Sequence, residues 1–262
     1  MINLMQLFAV YYLVLFFVFI TGLVFGSFAN VLIYRLPRGL SPVAPSSFCP
    51  VCGEAISFYD NIPLLSYILL GGKCRRCSSR ISIRYLLVEL FSGFSFAAPV
   101  FFFGFTAQAF QIIVLLYFFI IITPIDLKYA LIPDEINLAL FFFGVLIPKS
   151  GAPYLRTAFF SVLSALIAGL VLFMIAAAAA KIFGEEAMGM GDVKLIAALA
   201  ATTGMSSIFW LIFISSVLGS VVGITVKIIK KSKGYTRIAF GPYLCLAALI
   251  YTIFASKLPP LL

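Results

Sequence analysis

The sequence predicts an all-α polytopic membrane protein of about eight transmembrane helices with one small cytoplasmic loop domain. Three observations carry this. Of the 262 residues, 63% are hydrophobic and 10% charged, against roughly 45–50% and about 25% in soluble domains. The mean hydropathy is +1.17, and the apolar residues fall in blocks near the ~20 residues that a membrane-crossing helix needs. The only sizeable polar region, Tyr34–Tyr85, lies between the first two blocks and holds four of the five cysteines. The alternating strands of a membrane barrel are absent.

Eight stretches read as helices. Leu7–Ile33 carries no basic residue before Arg35, so no cleavable signal peptide is expected. Leu86–Phe103 and Ala107–Ile125 follow as apolar runs. Ile136–Ile147 opens behind Pro133, Asp134 and Glu135, which suit a helix start by dipole and capping. Thr157–Phe183 includes the small packing run Ala176–Ala180. Val193–Thr203 follows Asp192, a favoured cap type. Ile208–Ile229 is the seventh, and Ile238–Ser256 contains Cys245 as a small buried residue. The chain divides into a first transmembrane helix (residues 1–33), a cytoplasmic four-cysteine loop (34–85) and a transmembrane core (86–262).

Basic residues set the orientation. Arg35, Arg38, Lys73, Arg75, Arg76, Arg80, Arg84, Lys128, Lys181, Lys194, Lys227, Lys230, Lys231, Lys233 and Arg237 fall on one side, against Lys149, Arg156 and Lys257 on the other. The first side is then cytoplasmic and the N-terminus lies outside. All nine acids fall on or near that inner side, including Glu185 and Glu186. Ile136–Ile147 and Val193–Thr203 are short for crossings. If Val193–Thr203 did not cross, the basic stretch Lys227–Arg237 would lie outside, so eight crossings are retained. The net charge of +9 is topology and lipid contact, with no nucleic-acid partner, because the basic residues sit at segment ends.

The absence of histidine excludes Ser-His-Asp triads, Cys-His dyads and HExxH zinc sites. Catalysis falls to carboxylates, cysteines, basic residues and hydroxyls. Cys49-Pro-Val-Cys52 and Cys74-Arg-Arg-Cys77, with 21 residues between the pairs, have zinc-ribbon spacing. Gly53 permits the tight turn of the first pair, and Lys73, Arg75 and Arg76 favour thiolates in the second. A reducing cytoplasm disfavours disulfides. Four cysteine ligands leave no open position, so the zinc is structural.

Two carboxylates at membrane depth stand out. Asp126 ends an apolar run, and Asp192 closes Gly189-Met190-Gly191-Asp192. Together they can form a dyad sharing one proton, in which the ionised member activates water and the protonated one polarises a scissile carbonyl. The helix N-terminus at Asp192 and the C-terminus at Asp126 make Asp192 the base and Asp126 the acid. Asp192 also reads as a simple N-cap.

The chain resembles the bacterial type IV prepilin leader peptidase and N-methyltransferase family, GxGD-type intramembrane aspartic proteases. The resemblance rests on Gly26–Pro37, on Cys49–Cys77 with Tyr59-Asp60-Asn61-Ile62-Pro63 between the pairs, on Asp126 through Ile132-Pro133-Asp134, and on Gly189–Leu195. It implies Asp126 and Asp192 as catalytic residues, with Gly189, Gly191, Lys194 and Asp134 as supporting motif residues, and a transmembrane aspartic protease core over 86–262. It implies cleavage of short basic leaders from prepilins or secretion pseudopilins, after a glycine at the cytoplasmic face of the bacterial inner membrane. It implies, further, S-adenosylmethionine-dependent methylation of the new N-terminus. Family members lacking the cysteine loop often act only as peptidases, which directs attention for that step to Glu54, Asp60 and Lys73. Relatives often carry histidine before the first cysteine pair, where Phe48 stands here. The competing readings are a carboxylate-based transporter and a membrane scaffold recruiting a partner through its zinc ribbon.

Overall fold

The computed structural model describes residues 4–147, 153–183, 188–230 and 239–255. Lys149, Glu185, Glu186, Lys231, Lys233, Arg237, Lys257 and both ends of the last predicted span, Ile238 and Ser256, lie outside the described residues. The chain forms two compact units, Met1–Ala109 and Phe110–Leu262.

In the first unit, α1 (Leu4–Arg35) and α3 (Ile83–Phe103) pack side by side, with the short α2 (Leu65–Leu69) in the segment between them. They run antiparallel, since Gly22 meets Gly93 and Gly26 meets Glu89, while the Asn30 side chain donates to the Tyr85 carbonyl at 3.0 Å. A Cβ on Gly26 would lie 2.7 Å from the Glu89 Cα. The backbones approach as small residues allow between membrane helices. Phe16, Phe17, Phe91 and Phe94 stay exposed, an apolar surface suited to lipid. Where α1 ends, buried Arg35 donates to the carbonyls of Ser41, Pro45 and Ser46 at 3.0, 2.7 and 3.2 Å. This satisfies its guanidinium and folds the start of the loop. On α3, Glu89 accepts the Leu64 N–H at 2.8 Å and so fastens the loop to the helix pair.

The second unit holds α4 (Ala107–Tyr129, its first three residues belonging to the first unit), α5 (Asp134–Leu146), α6 (Tyr154–Phe183), α7 (Met190–Thr203), α8 (Ile208–Lys230) and α9 (Gly241–Phe254). Helix α7 is the hub. It packs against α5, α6 and α9 and buries Leu195, Ile196 and Leu199 completely or nearly so. Its last turn accepts the Gln111 amide of α4 at the Thr202 carbonyl, 2.7 Å away. Ile121, Ile122 and Ile125 of α4 are likewise fully buried.

The predicted helices are all present, with shifted ends. Helix α3 starts at Ile83 rather than Leu86, because Ser82 accepts the Arg84 N–H and caps it. Among the described residues, five helices are long and apolar enough to cross a membrane: α1, α3, α4, α6 and α8. Helices α5, α7 and α9 have 13, 14 and 14 residues. At 1.5 Å per residue they span about 20 Å, short of a hydrocarbon core of about 30 Å. The last predicted span, from Ile238, is shortened because Gly241-Pro242 opens α9, and proline favours the first helical turn.

Candidate active site and metal centre

The four loop cysteines fold into two knuckles with the same backbone pattern. Cys49 N–H donates to the Glu54 carbonyl and Gly53 N–H to the Cys49 carbonyl, at 2.9 and 2.8 Å. In the second knuckle Cys74 donates to Ser79 and Ser78 to Cys74, both at 2.9 Å. Flanking antiparallel bridges pair Phe48 with Ala55 and Lys73 with Arg80. The tight turn puts Gly53 at φ 73 and Ser78 at φ 57, so the second knuckle makes with serine the turn that the first makes with glycine. The four sulfurs lie within 4.8 Å of one another, with Cys49 to Cys77 at 3.9 Å. A tetrahedron of ~2.3 Å zinc–sulfur bonds has edges of about 3.8 Å, so the donor set fits zinc. The N–H groups of Cys52 and Val51 lower the Cys49 thiol to about 6. At Cys52 a backbone hydrogen bond from Glu54 is outweighed by desolvation and the neighbouring Cys49 and Cys77 sulfurs, which raise its thiol to about 11. A bound cation would remove this competition among crowded sulfurs.

Two of the three loop residues considered for methyl transfer are held in ion pairs. Asp60 takes a bidentate grip from Arg75 at 2.6–3.0 Å, which ties the segment between the knuckles to the second one. The Arg75 guanidinium also holds the Asp60 carboxyl below the usual carboxylate range. Glu54 lies 4.0 Å from Arg76 on the exposed surface. Lys73 is exposed beside the second knuckle.

In the second unit, Asp126 and Asp192, 66 residues apart in the chain, come within electrostatic reach of one another. Asp126 sits in the last turn of α4 and is 5% exposed. The helix closes just beyond it, where Ala130 turns left-handed at φ 49 and donates to the Asp126 carbonyl. Asp192 is half-buried in the first turn of α7. It is not the N-cap, because Gly189 takes that place and α7 starts at Met190, three residues before the predicted start. The Asp192 carboxylate instead turns back on the Gly189 N–H, as the third-position acid of a capping box does.

The supporting motif residues join these two segments. Lys194 Nζ lies 2.7 and 2.8 Å from the Asp134 oxygens, linking the N-terminal part of α7 to the first turn of α5. Gly191 packs its Cα face on Ile132, where a Cβ would lie 3.4 Å from the Ile132 Cβ.

Gly241 escaped the sequence reading. Its N–H, at the start of α9, donates to Asp126 Oδ2 at 2.9 Å. Asp126 therefore sits at the N-terminus of one helix as well as near the C-terminus of its own. The helix-end argument that made Asp126 the acid and Asp192 the base no longer separates them. The available signal was Gly241-Pro242 inside an apolar segment, a helix-start pattern. Buried Cys245, one turn along α9, lies within electrostatic reach of both aspartates.

A membrane chain with such a loop and such a pair of acids can be compared with known proteins. The chain is 34% identical to the prepilin leader peptidase/N-methyltransferase of Pseudomonas aeruginosa, over 90% of this chain and 89% of that protein. The like-named protein of Xanthomonas campestris pv. campestris is 35% identical over 90% of each chain. That of Neisseria gonorrhoeae is 34% identical over 88% of this chain and 87% of its own. Residues 113–224 match the type IV leader peptidase family, and residues 20–103 match the bacterial peptidase A24 N-terminal domain. The chain belongs to the type IV leader peptidase family. The family's peptidase region contains both aspartates, and its N-terminal domain contains the four-cysteine loop. No solved structure gives a significant match.

Proposed function

We propose that this chain is a bifunctional enzyme of the bacterial inner membrane. It cleaves the short basic leader from type IV prepilins or pseudopilins and then methylates the new N-terminus. Eight crossings, with the N-terminus outside and both the loop and the aspartates on the cytoplasmic side, are the topology that goes with this reading. The observation that carries it is the approach of both aspartate segments to Ile132, through Gly241 beside Asp126 and Gly191 beside Asp192, in a chain of this family.

Of two carboxylates held together, one keeps a proton more readily than both ionise. The ionised one takes a proton from water as the water oxygen attacks the carbonyl carbon of the leader's terminal glycine. The other gives its proton to the carbonyl oxygen. When the tetrahedral diol collapses, the carbon–nitrogen bond breaks, the departing amine takes the proton from the first carboxyl, and the second carboxylate takes back a proton from one diol hydroxyl, which restores the starting pair. Gly189 and Gly191 leave room for an extended peptide beside Asp192. The Lys194–Asp134 pair holds the two motif segments in register.

The four cysteines would hold a structural zinc that fixes the loop. S-adenosylmethionine, when bound, supplies an electrophilic methyl group for the new amine. The loop is the part of the chain assigned to that step. Lys73 there is a cation suited to a carboxylate such as the one S-adenosylmethionine carries.

The test is the mass of a genuine prepilin after incubation with the purified protein in lipid. Leader loss followed by the gain of one methyl is expected. Asp126→Asn and Asp192→Asn should each lower cleavage by at least about 10³-fold, with zinc retained and with methylation of pre-cleaved pilin retained. Substantial cleavage by either variant would remove the dyad.

A further inference from the structure

We propose that Gly241 is a positioning residue for Asp126, acting through its N–H and through the side chain it lacks. This rests on the dyad reading above. The N–H at the start of α9 donates to Asp126 Oδ2 at 2.9 Å. A hydrogen bond to an ionised acceptor is stronger than a neutral one and sets direction as well as distance. The site is buried: Gly241, Pro242 and Asp126 are all inaccessible or nearly so, leaving little water to do the same work.

The missing side chain matters as much. A Cβ on Gly241 would lie 2.8 Å from Asp126 Oδ2, 3.1 Å from Ile132 Cδ1 and 3.3 Å from Ile122 Cγ2. All three are side-chain atoms, and the tightest is the free end of the carboxylate. An added methyl group is therefore relieved by swinging the carboxylate away, with the backbones of α4 and α9 left in place. The fold tolerates that movement. The chemistry does not, because displacing a reacting group by about 1 Å can lower a rate about 100-fold.

Ile132 joins the arrangement to Asp192. It packs between Gly191, the second residue of α7, and Gly241 at the start of α9. Both glycines thus meet the segment that follows Asp126, one from each helix start. Gly241 orients one carboxylate while Gly191 brings α7 close enough to present the other.

The experiment uses the full-length protein in lipid with intact prepilin. Gly241→Ala should lower kcat about 100-fold with KM changed by less than about threefold. Its pH–rate profile should be displaced, because the orientation of one dyad member has changed. The thermal midpoint and zinc content should match the parent. Gly241→Pro, which deletes the N–H as well as adding the Cβ, should also lower kcat and displace the profile. Gly219→Ala serves as control. It adds a methyl group 3.3 Å from Phe240 on the other flank of the same turn and should keep kcat within about threefold of the parent. A parental kcat and profile for Gly241→Ala, a loss confined to KM, or a kcat loss with the profile unmoved would each overturn the proposal. Failure of the dyad reading looks different: there the parent does not cleave, or Asp126→Asn still does.

Discussion

The two cysteine knuckles make a matched experiment at the scale of single residues. They share their hydrogen bonds and their flanking bridges, yet one places glycine in the left-handed turn and the other serine. A left-handed conformation costs an L-residue roughly 1–2 kcal/mol. Gly53→Ala should therefore destabilise its knuckle by about 1 kcal/mol, and Ser78→Gly should stabilise the other by somewhat less because glycine also frees the unfolded chain. Zinc release to a chelator, measured for both variants, checks the opposite signs. Parity of the two would show that the turn conformation is not what limits the loop. The cysteine spacing and Gly53 made this centre readable in the sequence. Ser78 was not readable, because serine gives no sign of a positive φ until the second turn is seen to repeat the first.

Among elements, α5 and α7 pack directly and are also linked by one exposed ion pair, Lys194 to Asp134, with side chains 48% and 70% exposed. Exposed pairs of this kind contribute about 0–1 kcal/mol, so the fold does not need it. Its use is registration, since Asp134 opens α5 just after the first aspartate motif and Lys194 lies two residues beyond Asp192. Lys194→Asp and Asp134→Lys should each reduce cleavage roughly 10-fold with the thermal midpoint nearly unchanged, and the exchanged double variant should recover part of the loss. Additive losses in the double variant would deny the pair this role. The helices themselves were legible because apolar blocks of their length have few alternatives in a chain so poor in charge. Their ends were less so. Capping by Ser82, the glycine at the start of α7 and the Gly241-Pro242 start of α9 are local hydrogen-bonding and dihedral events that block hydropathy does not register. The convergence on Asp126 was invisible for a further reason. Nothing in the period of an apolar helix tells which amide, more than a hundred residues away, will face a given carboxylate.

For the whole molecule, the open quantity is the number of crossings. Five helices are long enough without help. The other three, at about 20 Å, cross only if the bilayer thins or water enters at their ends. The distribution of Lys and Arg favours crossing. Reporter fusions decide it. Alkaline phosphatase joined after Met205 should be active, because that position lies outside if α7 crosses, and green fluorescent protein joined after Tyr129 should fluoresce. An inactive phosphatase at Met205 would leave α7 as a re-entrant element and move the stretch beyond α8 to the other face. Thinning at the starts of α7 and α9 would also bring water to the two aspartates, which hydrolysis requires.

The amide that steadies Asp126 belongs to residue 241, 115 positions further along the chain. A ribosome must therefore reach residue 241, and the insertion machinery must seat α9, before that carboxylate is held in place. Nascent fragments carry both aspartates long before they carry their partner amide. With Gly241 positioning Asp126 as proposed, biosynthesis itself would act as a timer, withholding hydrolytic power from unfinished copies while they are still threading into the lipid among other newly made proteins.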